Sequence, residues 1–508
     1  DYGFFNYFQY PYIHSSDVMR VPEWTRAAVC YQIFPDRFRR AKSRDVAGLV
    51  GPRTLHENWD ELPEYRPNAE GEITCSDFFG GDLQGITEKL DYLASLGVTT
   101  LYLCPIFEAS TNHRYDTACY ERIDPLLGDE ADFRTLCAEA KKRSIYVMLD
   151  GVFNHTGRKS VYFNADGFYD DLGAAQGEQS PYYRWYNFHP FPDEYDAWWG
   201  IKNLPAVNEL EKSYVDYIIE GNNSIIKRWL RAGASGWRLD VADELPDEFI
   251  AKIRAAMNEE NPDTYLLGEV WEDGTTKIAY SQRRKYLLGR ETNGLMNYPF
   301  RSATLDYLHG ADVTAVADAL MQICEHYPAP ALNCAMNFLS THDTERAITA
   351  IAGEPCNGHD RYWQSKRVIP SGQMDEAIRR ELLGYAMIFT LPGVPCVYYG
   401  DEIAMQGYRD PFNRAFFDWN STEQRLRGPI KTLAALRRSC DAFDGGRLEI
   451  VRAEGDILHY RRVGVVQTAE IILNRGPHLI AEEAFGKNTE VNPGGFTVLV
   501  EDNHPEHV

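Results

Sequence analysis

Basic and acidic side chains of this 508-residue sequence stand close together where short apolar segments end. One such segment is Gly-Trp-Arg-Leu-Asp at 236–240, in which Arg238 and Asp240 are two residues apart. In an extended strand, side chains two apart point to the same face, so a permanent cation should lie beside this carboxylate. We expect Arg238 to lower the pKa of Asp240 and to hold it ionised. Such an aspartate is either a nucleophile or half of a structural ion pair, and this segment alone favours neither.

Three further apolar segments end in polar side chains of the same kinds. Asp-Gly-Val-Phe-Asn-His spans 150–155, Gly-Glu-Val-Trp spans 268–271, and Ser-Thr-His-Asp spans 340–343. If these segments are parallel strands of one barrel, their carboxyl ends meet at one mouth. The sequence then predicts a site with three acids, two histidines and one arginine: Asp240, Glu269, Asp343, His155, His342 and Arg238. Chance accounts for one or two such residues but not for the whole set.

The absence of several sequence motifs limits the reactions that these polar residues could catalyse. The sequence contains no HExxH segment, no zinc-type Cys/His spacing, no P-loop, no GxGxxG and no GxSxG. Paired carboxylates without a metal or phosphate motif predict glycoside hydrolysis. In its retaining form one ionised carboxylate attacks the anomeric carbon, while a protonated one donates to the leaving oxygen and later activates water. Asp240 beside Arg238 suits the nucleophile, and Glu269, with no adjacent cation, suits the acid/base.

The elements that must position these residues follow an alternating pattern. Helical stripes, such as Ile225, Ile226, Trp229 and Leu230 before Gly233, separate short apolar segments. Eight of those segments read as buried parallel strands, at 29–35, 98–106, 145–151, 236–241, 265–270, 294–299, 335–341 and 393–399. The pattern predicts an α/β fold, a (β/α)8 TIM barrel.

The remaining segments predict additions to the barrel. Residues 156–205 are rich in Tyr, Trp, Gly and Asp without a sustained period, which indicates a small domain inserted after the third strand. Alternating apolar residues punctuated by Gly and Pro after residue 441 predict a C-terminal antiparallel β domain. The predicted organisation is an aromatic leader at 1–22, the barrel at 23–155 and 206–441, the insertion at 156–205, and the β domain at 442–508.

Composition restricts the partners and the compartment. The net charge of −23 argues against nucleic acid and against an anionic membrane surface, since both require basic surface. The ten cysteines form no CxxC pair, and Cys104 and Cys396 lie in apolar segments, so we expect reduced, buried thiols. No signal peptide opens the sequence, which predicts a cytoplasmic protein. The uncharged stretch from Leu382 to Gly400 contains Gly and Pro and is interpreted as a helix end, a turn and a buried strand rather than a membrane span.

The four segments at 150–155, 236–240, 268–271 and 340–343, in this order, resemble the α-amylase family of glycoside hydrolases. The resemblance extends from about residue 20 to 508 and is closest to the branch of neopullulanases, cyclomaltodextrinases and maltogenic amylases. The segments similar to that branch are Tyr31-Gln-Ile-Phe-Pro-Asp-Arg-Phe38, Gly80-Gly-Asp-Leu-Gln-Gly85, Pro105-Ile-Phe107, Asn112-His-Arg-Tyr-Asp-Thr117, Leu204-Pro-Ala-Val-Asn208 and His342-Asp-Thr-Glu-Arg346.

The resemblance implies a role for each site residue. Asp240 is the expected nucleophile, Glu269 the acid/base, and Asp343 a third carboxylate that binds and distorts the reacting sugar. His155, Arg238 and His342 are expected to hydrogen-bond that sugar and Tyr115 to stack beneath it, while Asp410 and Arg414 match contacts to the next sugar on the non-reducing side.

Some aromatic and imidazole side chains leave two interpretations open. His113 is either a sugar contact or a solvated loop residue. Trp271 is either core packing or, as its position beside Glu269 favours, a leaving-group contact. The Trp198-Trp199 pair is either a sugar platform or, the favoured interpretation, part of the small core of the insertion.

Three departures from the branch change what is expected. Relatives carry an N-terminal β domain that supports dimerisation, whereas only the aromatic leader is present here, so a monomer is favoured over a dimer. The segment from Phe38 to Lys42 replaces a calcium loop rich in oxygen ligands, so we expect no calcium there and no cofactor. Calcium at another position is left open, and no residue is predicted as a metal ligand. Glu272 stands where relatives often have histidine, and we expect this difference to alter the leaving-group side of the site.

The sequence therefore predicts a retaining α-glucan hydrolase that cleaves α-1,4 bonds of maltooligosaccharides and starch fragments. One alternative is an enzyme of the same family specialised for cyclodextrins or pullulan, or for sugar transfer. A second alternative is a non-catalytic carbohydrate-binding protein on the same barrel, which is disfavoured because all three acids are present. Chain-length preference and activity towards α-1,6 bonds depend on loops that the sequence does not place.

Overall fold

Eight parallel strands form one sheet at the centre of the computed structural model, which describes residues 19–503. In chain order they are β1 (Cys30–Ile33), β2 (Thr100–Leu103), β3 (Tyr146–Gly151), β4 (Gly236–Leu239), β5 (Tyr265–Gly268), β6 (Gly294–Leu295), β7 (Met336–Phe338) and β8 (Val394–Tyr398). Their spatial order is β6-β5-β4-β3-β2-β1-β8-β7, and a parallel bridge between Met296 and Met336 joins the two edge strands. The predicted (β/α)8 barrel is confirmed.

The sixth strand is much shorter than predicted. The prediction placed it at 294–299, but β6 ends at Leu295 and a helix begins at Tyr298. The Asn297 side chain caps that helix by accepting the Phe300 N–H at 3.2 Å, and Pro299 lies in its first turn. An Asn cap followed by an early proline is a helix start, and this local preference outweighs the apolar character of the segment.

Helices surround the sheet and fix the angle of each strand. The helix Ile225–Ala232 buries Ile225, Ile226 and Trp229 against the core and ends at Gly233, whose φ of 123° only glycine adopts easily. Within residues 19–503 the α-helices are Pro35–Phe38, Leu83–Glu88, Leu90–Ser95, Glu130–Lys142, Lys212–Val215, Ile225–Ala232, Asp247–Glu260, Tyr298–Leu308, Val313–His326, Ala329–Cys334, Ala347–Ala352, Arg361–Gln364, Met374–Thr390 and Arg427–Ser439.

Short helices and strand pairs occupy the loops. A π-helix spans Asp216–Glu220, and the 3-10 helices are Glu23–Thr25, Ala174–Gln176, Tyr183–Trp185, Trp198–Gly200, Ser371–Gln373, Asp401–Ile403, Phe412–Arg414 and Asp441–Phe443. Short strands pair as Thr54–Leu55 with Asp77–Phe78, Phe107–Ala109 with Thr117–Ile123, and Ile278–Ala279 with Gln282–Arg283.

The segment after β3 is irregular, as its composition predicts. Its described backbone contains 3-10 turns and isolated bridges rather than a sheet, and its core is aromatic: Tyr162, Phe163, Trp185, Tyr186 and Tyr195 are buried. The favoured interpretation of Trp198-Trp199 as part of this core is wrong, because Trp199 is 75% exposed. Both indoles instead bind a carboxylate outside the insertion.

The C-terminal residues form the predicted antiparallel β structure. Its strands are β9 (Arg447–Glu454), β10 (Ile457–Val463), β11 (Gln467–Asn474), β12 (Ile480–Ala484), β13 (Lys487–Val491) and β14 (Gly495–Asp502). Strands β9, β10, β11 and β14 form one sheet, and β12 and β13 form a hairpin. The sheet lies against the helix Met374–Thr390, to which Tyr460 and Arg462 are hydrogen-bonded.

Two further predictions concern the uncharged stretch from Leu382 to Gly400 and the aromatic leader. The stretch from Leu382 to Gly400 contains a helix end at Thr390, a turn and the buried strand β8, which confirms its interpretation. In the described part of the chain no helix is long and apolar enough to cross a membrane. Most of the predicted aromatic leader, residues 1–18, lies outside the described residues. The boundaries of the predicted domains stay predictions.

Candidate active site

Arg238 lies at the centre of the site, fully buried at the end of β4. Its Nη1 atom is 2.7 Å from Asp150 Oδ1 and 2.9 Å from Asp240 Oδ1, and its Nη2 atom is 2.8 Å from Glu269 Oε2. Burial by itself lowers the pKa of Arg238, but the charges of Asp150 and Glu269 raise this pKa well above its ordinary value. The guanidinium therefore stays charged and fixes carboxylates from three neighbouring strands around one point.

The backbone directly after Asp240 turns sharply to meet Glu269. Val241 has a φ of +43°, which is rare for a β-branched residue and costs free energy. In this conformation the Val241 N–H donates to Glu269 Oε2 at 2.8 Å, and the Ala242 N–H donates to the Glu269 carbonyl at 3.1 Å. The strained turn thus orients the second carboxylate relative to the first.

Trp271 contacts Glu269 from the other side. Its Nε1–H donates to Glu269 Oε1 at 3.1 Å, and its ring stacks on Tyr298 with centroids 4.1 Å apart. Trp271 is 49% exposed, which is not the environment of a core residue. The geometry favours the interpretation that places Trp271 at the leaving-group side over core packing.

Asp343 lies beside a second arginine. Arg414 Nη2 is 3.5 Å from Asp343 Oδ1, and Arg414 Nη1 is 3.1 Å from Asp410 Oδ1. His342 Nε2 is 3.2 Å from Asp343 Oδ2, and its carbonyl accepts the Arg414 Nε–H at 2.9 Å. The structure therefore brings Asp343, Asp410 and Arg414 together on the side of β7 and β8.

A hydrogen-bond chain fixes the protonation of His342. The Gln32 amide Nε2–H donates to His342 Nδ1 at 2.7 Å, so the proton of the neutral imidazole resides on Nε2. This nitrogen contacts the Tyr115 hydroxyl, which in turn donates to Asp150 Oδ2 at 2.8 Å. The Tyr115 and His342 rings are stacked at 5.3 Å. Burial lowers the pKa of His342 well below its ordinary value, so the imidazole is neutral.

The other two histidines bind the loop that carries Tyr115. His155 Nε2–H donates to the Tyr115 carbonyl at 3.1 Å, and its buried Nδ1 has no partner in the described part of the chain. Burial lowers the pKa of His155 to about 4. His113 Nδ1 accepts the Tyr115 N–H at 3.1 Å. His113 is thus a half-buried residue that stabilises its own loop, and its contact with sugar stays a prediction.

The pKa of Asp240 departs from the prediction. Burial raises it well above its ordinary value, the charge of Arg238 opposes this shift, and the charges of Glu269 and Asp150 add to it. Burial raises the pKa of Glu269 as well. The predicted net lowering by Arg238 is wrong, because the burial of Asp240 outweighs this cation and the nearby charges of Glu269, Asp150 and Asp343 add to the rise. The acids around Arg238 are therefore expected to bind protons more tightly than free carboxylic acids do.

Sequence reasoning missed the residues behind the predicted set. Asp150 is buried and accepts from Arg238, from Tyr115 and, at 2.6 Å, from the Tyr102 hydroxyl. Gln32 selects the tautomer of His342. A carboxylate inside the apolar segment of β3 is the signal that identifies Asp150, whereas Gln32 and Tyr102 carry no signal that a single sequence shows.

The segment after β1 is held by backbone hydrogen bonds to Asp82. The Ala41 and Lys42 N–H groups donate to the two Asp82 oxygens at 3.2 and 3.0 Å, and the Gly85 N–H donates at 2.6 Å. These hydrogen bonds use both oxygens of the Asp82 carboxylate. Across residues 19–503 no group of three or more His, Cys, Asp or Glu residues is arranged to hold a metal ion. The absence of calcium stays a prediction.

Comparison with known proteins agrees with this geometry. Residues 32–441 match the family described as "Alpha amylase, catalytic domain". The chain belongs to the α-amylase family. It is similar to an amylopullulanase of Thermoanaerobacter thermohydrosulfuricus, with 36% identity over 486 residues that cover 87% of the chain and 32% of the relative. It is also similar to a cyclomaltodextrinase of Geobacillus thermopakistaniensis, with 33% identity covering 92% of the chain and 72% of the relative.

A solved structure extends the likeness to the whole α-amylase-family fold. It is the cyclic α-maltosyl-(1→6)-maltose hydrolase of Arthrobacter globiformis in its ligand-free form, with a TM-score of 0.79 and 30% identity. The match covers 95% of this chain and 100% of that one. The chain spans only about a third of the length of the amylopullulanase. The activity and substrates of this family member are therefore proposals.

Proposed function

We propose that the chain is a retaining glycoside hydrolase that cleaves α-1,4-glucosidic bonds of maltooligosaccharides and starch fragments. The observation that carries the proposal is the position of Asp240 and Glu269 on two terminal nitrogens of one buried guanidinium, that of Arg238. This arrangement holds two carboxyl groups side by side at the ends of neighbouring strands. Two carboxyl groups that share a proton are the equipment that double displacement requires.

The proposed reaction has two steps at the anomeric carbon. Asp240 attacks that carbon while Glu269 gives its proton to the glycosidic oxygen, so the leaving sugar departs and a glycosyl-Asp240 ester forms. Glu269, now ionised, takes a proton from water as the water oxygen attacks the same carbon. The ester bond breaks, the sugar leaves with its original anomeric configuration, and both carboxyl groups return to their starting states.

The other predicted residues hold the substrate in this proposal. Neutral His342 contacts Asp343 and the Tyr115 hydroxyl, and neutral His155 contacts the Tyr115 carbonyl. These imidazoles and this hydroxyl suit hydrogen bonds to sugar hydroxyls. Asp343 binds the reacting ring, and the Asp410–Arg414 pair binds the next sugar on the non-reducing side. Because sugars offer apolar faces as well as hydroxyls, the aromatic side chains of this site add to both kinds of contact.

The finer parts of the proposal concern substrate, compartment and assembly. Relatives named amylopullulanase and cyclomaltodextrinase support an α-glucan substrate. The alternatives are specialisation for cyclodextrins or pullulan, or sugar transfer in place of hydrolysis. A cytoplasmic location is supported by the ten cysteines, which are all free thiols. The monomeric state stays a prediction.

A nucleophile variant tests the proposal. We expect Asp240→Asn to lower kcat on maltohexaose by roughly 10⁴-fold or more, while maltohexaose still binds by calorimetry. The matched control is Asp263→Asn, which changes an exposed aspartate and should leave kcat unchanged. Near-normal turnover by Asp240→Asn would contradict the assignment. Rates of the wild-type protein on β-cyclodextrin, pullulan and linear maltooligosaccharides, with products identified, decide between the alternatives.

A further inference from the structure

A second arginine lies beside the Asp410–Arg414 pair, on a segment outside the strand-end motifs. The segment, residues 353–373, follows the helix Ala347–Ala352. Its Arg361 Nη2 atom is 3.8 Å from Asp410 Oδ2, while Arg414 Nη1 is 3.1 Å from Asp410 Oδ1. Each oxygen of the Asp410 carboxylate therefore faces its own guanidinium group.

The short helix Arg361–Gln364 is fixed against the loop that follows β8. The Asp360 side chain caps this helix by accepting the Trp363 N–H at 2.8 Å. The Trp363 ring packs edge-on against Tyr408, with ring centroids 5.4 Å apart, and the Tyr408 hydroxyl donates to the Glu354 carbonyl at 2.7 Å. Since Tyr408 precedes the paired aspartate by two residues, these contacts set the position of the arginine relative to that carboxylate.

The ion pair between Arg361 and Asp410 gives the fold little stability. The two side chains are 34% and 36% exposed, and a pair of this kind gains little because water screens its attraction. In the described part of the chain Asp410 is the only acid paired with Arg361, and the Arg361 Nη1 atom is buried without a hydrogen-bond partner. A buried donor without a partner costs free energy, which calls for a functional explanation.

Arg361 adds to the charge that keeps Asp410 ionised. Burial by itself raises the pKa of Asp410, but the charges of Arg414, His113 and Arg361 lower this pKa below its ordinary value. An ionised carboxylate accepts hydrogen bonds at both oxygens, and these bonds are stronger than those to a neutral acceptor. Asp410 therefore offers a ligand an acceptor and no donor.

The Asp410 carboxylate borders space that a ligand can occupy. Asp410 and Arg414 line a cavity together with Glu64 and Ile73 from the segment after β1. Arg414 also lies 3.5 Å from Asp343, so the cavity is next to the third carboxylate of the site. Charged groups and one apolar side chain suit the hydroxyls and the C–H groups of a sugar ring.

We propose that Arg361 is a positioning residue for the sugar unit beyond the reacting one on the non-reducing side, and that it acts through Asp410. This inference rests on the proposed function, in which the Asp410–Arg414 pair binds that sugar, and adds to it a residue that fixes the pair from another segment. A carboxylate held at both oxygens loses little conformational freedom when it accepts sugar hydroxyls. Without Arg361, Asp410 is held by Arg414 alone and has to be ordered by the substrate.

Two substrates that share a leaving group and differ by one glucosyl unit test this role. α-Maltosyl fluoride places a sugar at Asp410, whereas α-glucosyl fluoride places none there. We expect Arg361→Ala to lower kcat/KM for α-maltosyl fluoride about fivefold, because a charge-assisted hydrogen bond is weakened, and to change kcat/KM for α-glucosyl fluoride less than about twofold. Arg361→Lys, which keeps the charge without the planar fork, should recover part of the loss. The control Lys366→Ala removes an exposed cation of the same segment and should leave both values unchanged.

A double-mutant cycle shows whether Arg361 acts through Asp410. If it does, Arg361→Ala should cause no further loss for α-maltosyl fluoride in a protein that already carries Asp410→Asn. The thermal unfolding of Arg361→Ala should match that of the wild type, because the pair adds little stability. Equal losses on both fluorides, no loss on either, or losses that add in the double variant would each overturn the role of Arg361. Hydrolysis of neither fluoride by the wild-type protein would instead contradict the proposed function.

Discussion

Arg238 divides one positive charge among three carboxyl groups, and this division governs the acid–base behaviour of the site. Its Nη1 atom contacts both Asp150 and Asp240, and its Nη2 atom contacts Glu269. None of these acids receives the full effect of the cation, while each lies in a buried environment that disfavours its charged form. The result is a group of acids that binds protons more tightly than free carboxylates do.

The pH dependence of the reaction should show this tighter proton binding. Burial raises the pKa of Asp240 and of Glu269. The nucleophile must be ionised, so activity is lost as pH falls through its raised pKa. The acid must be protonated, so activity is lost as pH rises through its raised pKa. We expect a bell-shaped plot of kcat/KM against pH, with both limbs above the value of about 4 for free carboxylic acids.

The measurement is kcat/KM for maltohexaose across the range in which the protein stays folded. These apparent pKa values belong to the group of acids rather than to one residue. An acidic limb at or below the value of a free carboxylic acid would contradict the raised pKa of the nucleophile.

At the scale of elements, β4 and the turn after it set the geometry of the site. Gly236 begins this strand, and a Cβ atom there would lie 2.3 Å from the Tyr265 carbonyl oxygen on β5. Only a residue without a side chain lets the two strands approach this closely. The same pair of strands carries Arg238 and Asp240 on one side and leads to Glu269 on the other.

We expect Gly236→Ala to lower the free energy of unfolding by about 3 kcal/mol and to lower kcat, because the strands must separate. Thermal unfolding and initial rates on maltohexaose measure the two effects. Gly372→Ala is the control, since nothing lies within 4 Å of its Cβ position. A Gly236→Ala variant as stable and active as this control would contradict the close approach of β4 and β5.

Some features of these elements can be predicted from the sequence alone, and others cannot. The spacing of apolar residues and the residue types along the chain are enough to predict the eight strands and the C-terminal sheet. They also predict the polar residues at the strand ends. The Val241 φ angle, the exposure of Trp199 and the tautomer of His342 depend on contacts between distant segments. The direction of the pKa shift of Asp240 was predicted wrongly for the same reason, because neither its burial nor the nearby charges of Glu269, Asp150 and Asp343 can be seen in the sequence around Arg238.

At the scale of the whole molecule, buried arginines join the C-terminal sheet to the barrel. Arg462 on β10 donates to the Thr390 carbonyl at 2.6 Å and to the Gly446 carbonyl at 2.8 Å. Burial lowers the pKa of Arg462 to about 10. Thr390 ends the helix that precedes β8, so this contact connects the last sheet to the barrel wall.

We expect Arg462→Ala to lower the free energy of unfolding by about 3 kcal/mol or more, because two carbonyl groups lose their donor inside the protein. Calorimetry should show one transition at lower temperature if the sheet and the barrel unfold together. Arg447→Ala, at an exposed arginine of β9, should leave the transition unchanged. Unaltered stability of Arg462→Ala would show that these contacts do not join the two parts.

The central claim, double displacement through Asp240, is tested most directly by trapping the glycosyl-enzyme. A maltosyl fluoride with a second fluorine at C5 slows both steps, since fluorine destabilises the oxocarbenium-like transition state, and a good leaving group lets the ester accumulate. Mass spectrometry of the digested protein should find one 5-fluoromaltosyl group on the peptide that contains Asp240, and none in Asp240→Asn. A label on another residue, or products of inverted anomeric configuration without any label, would contradict the account.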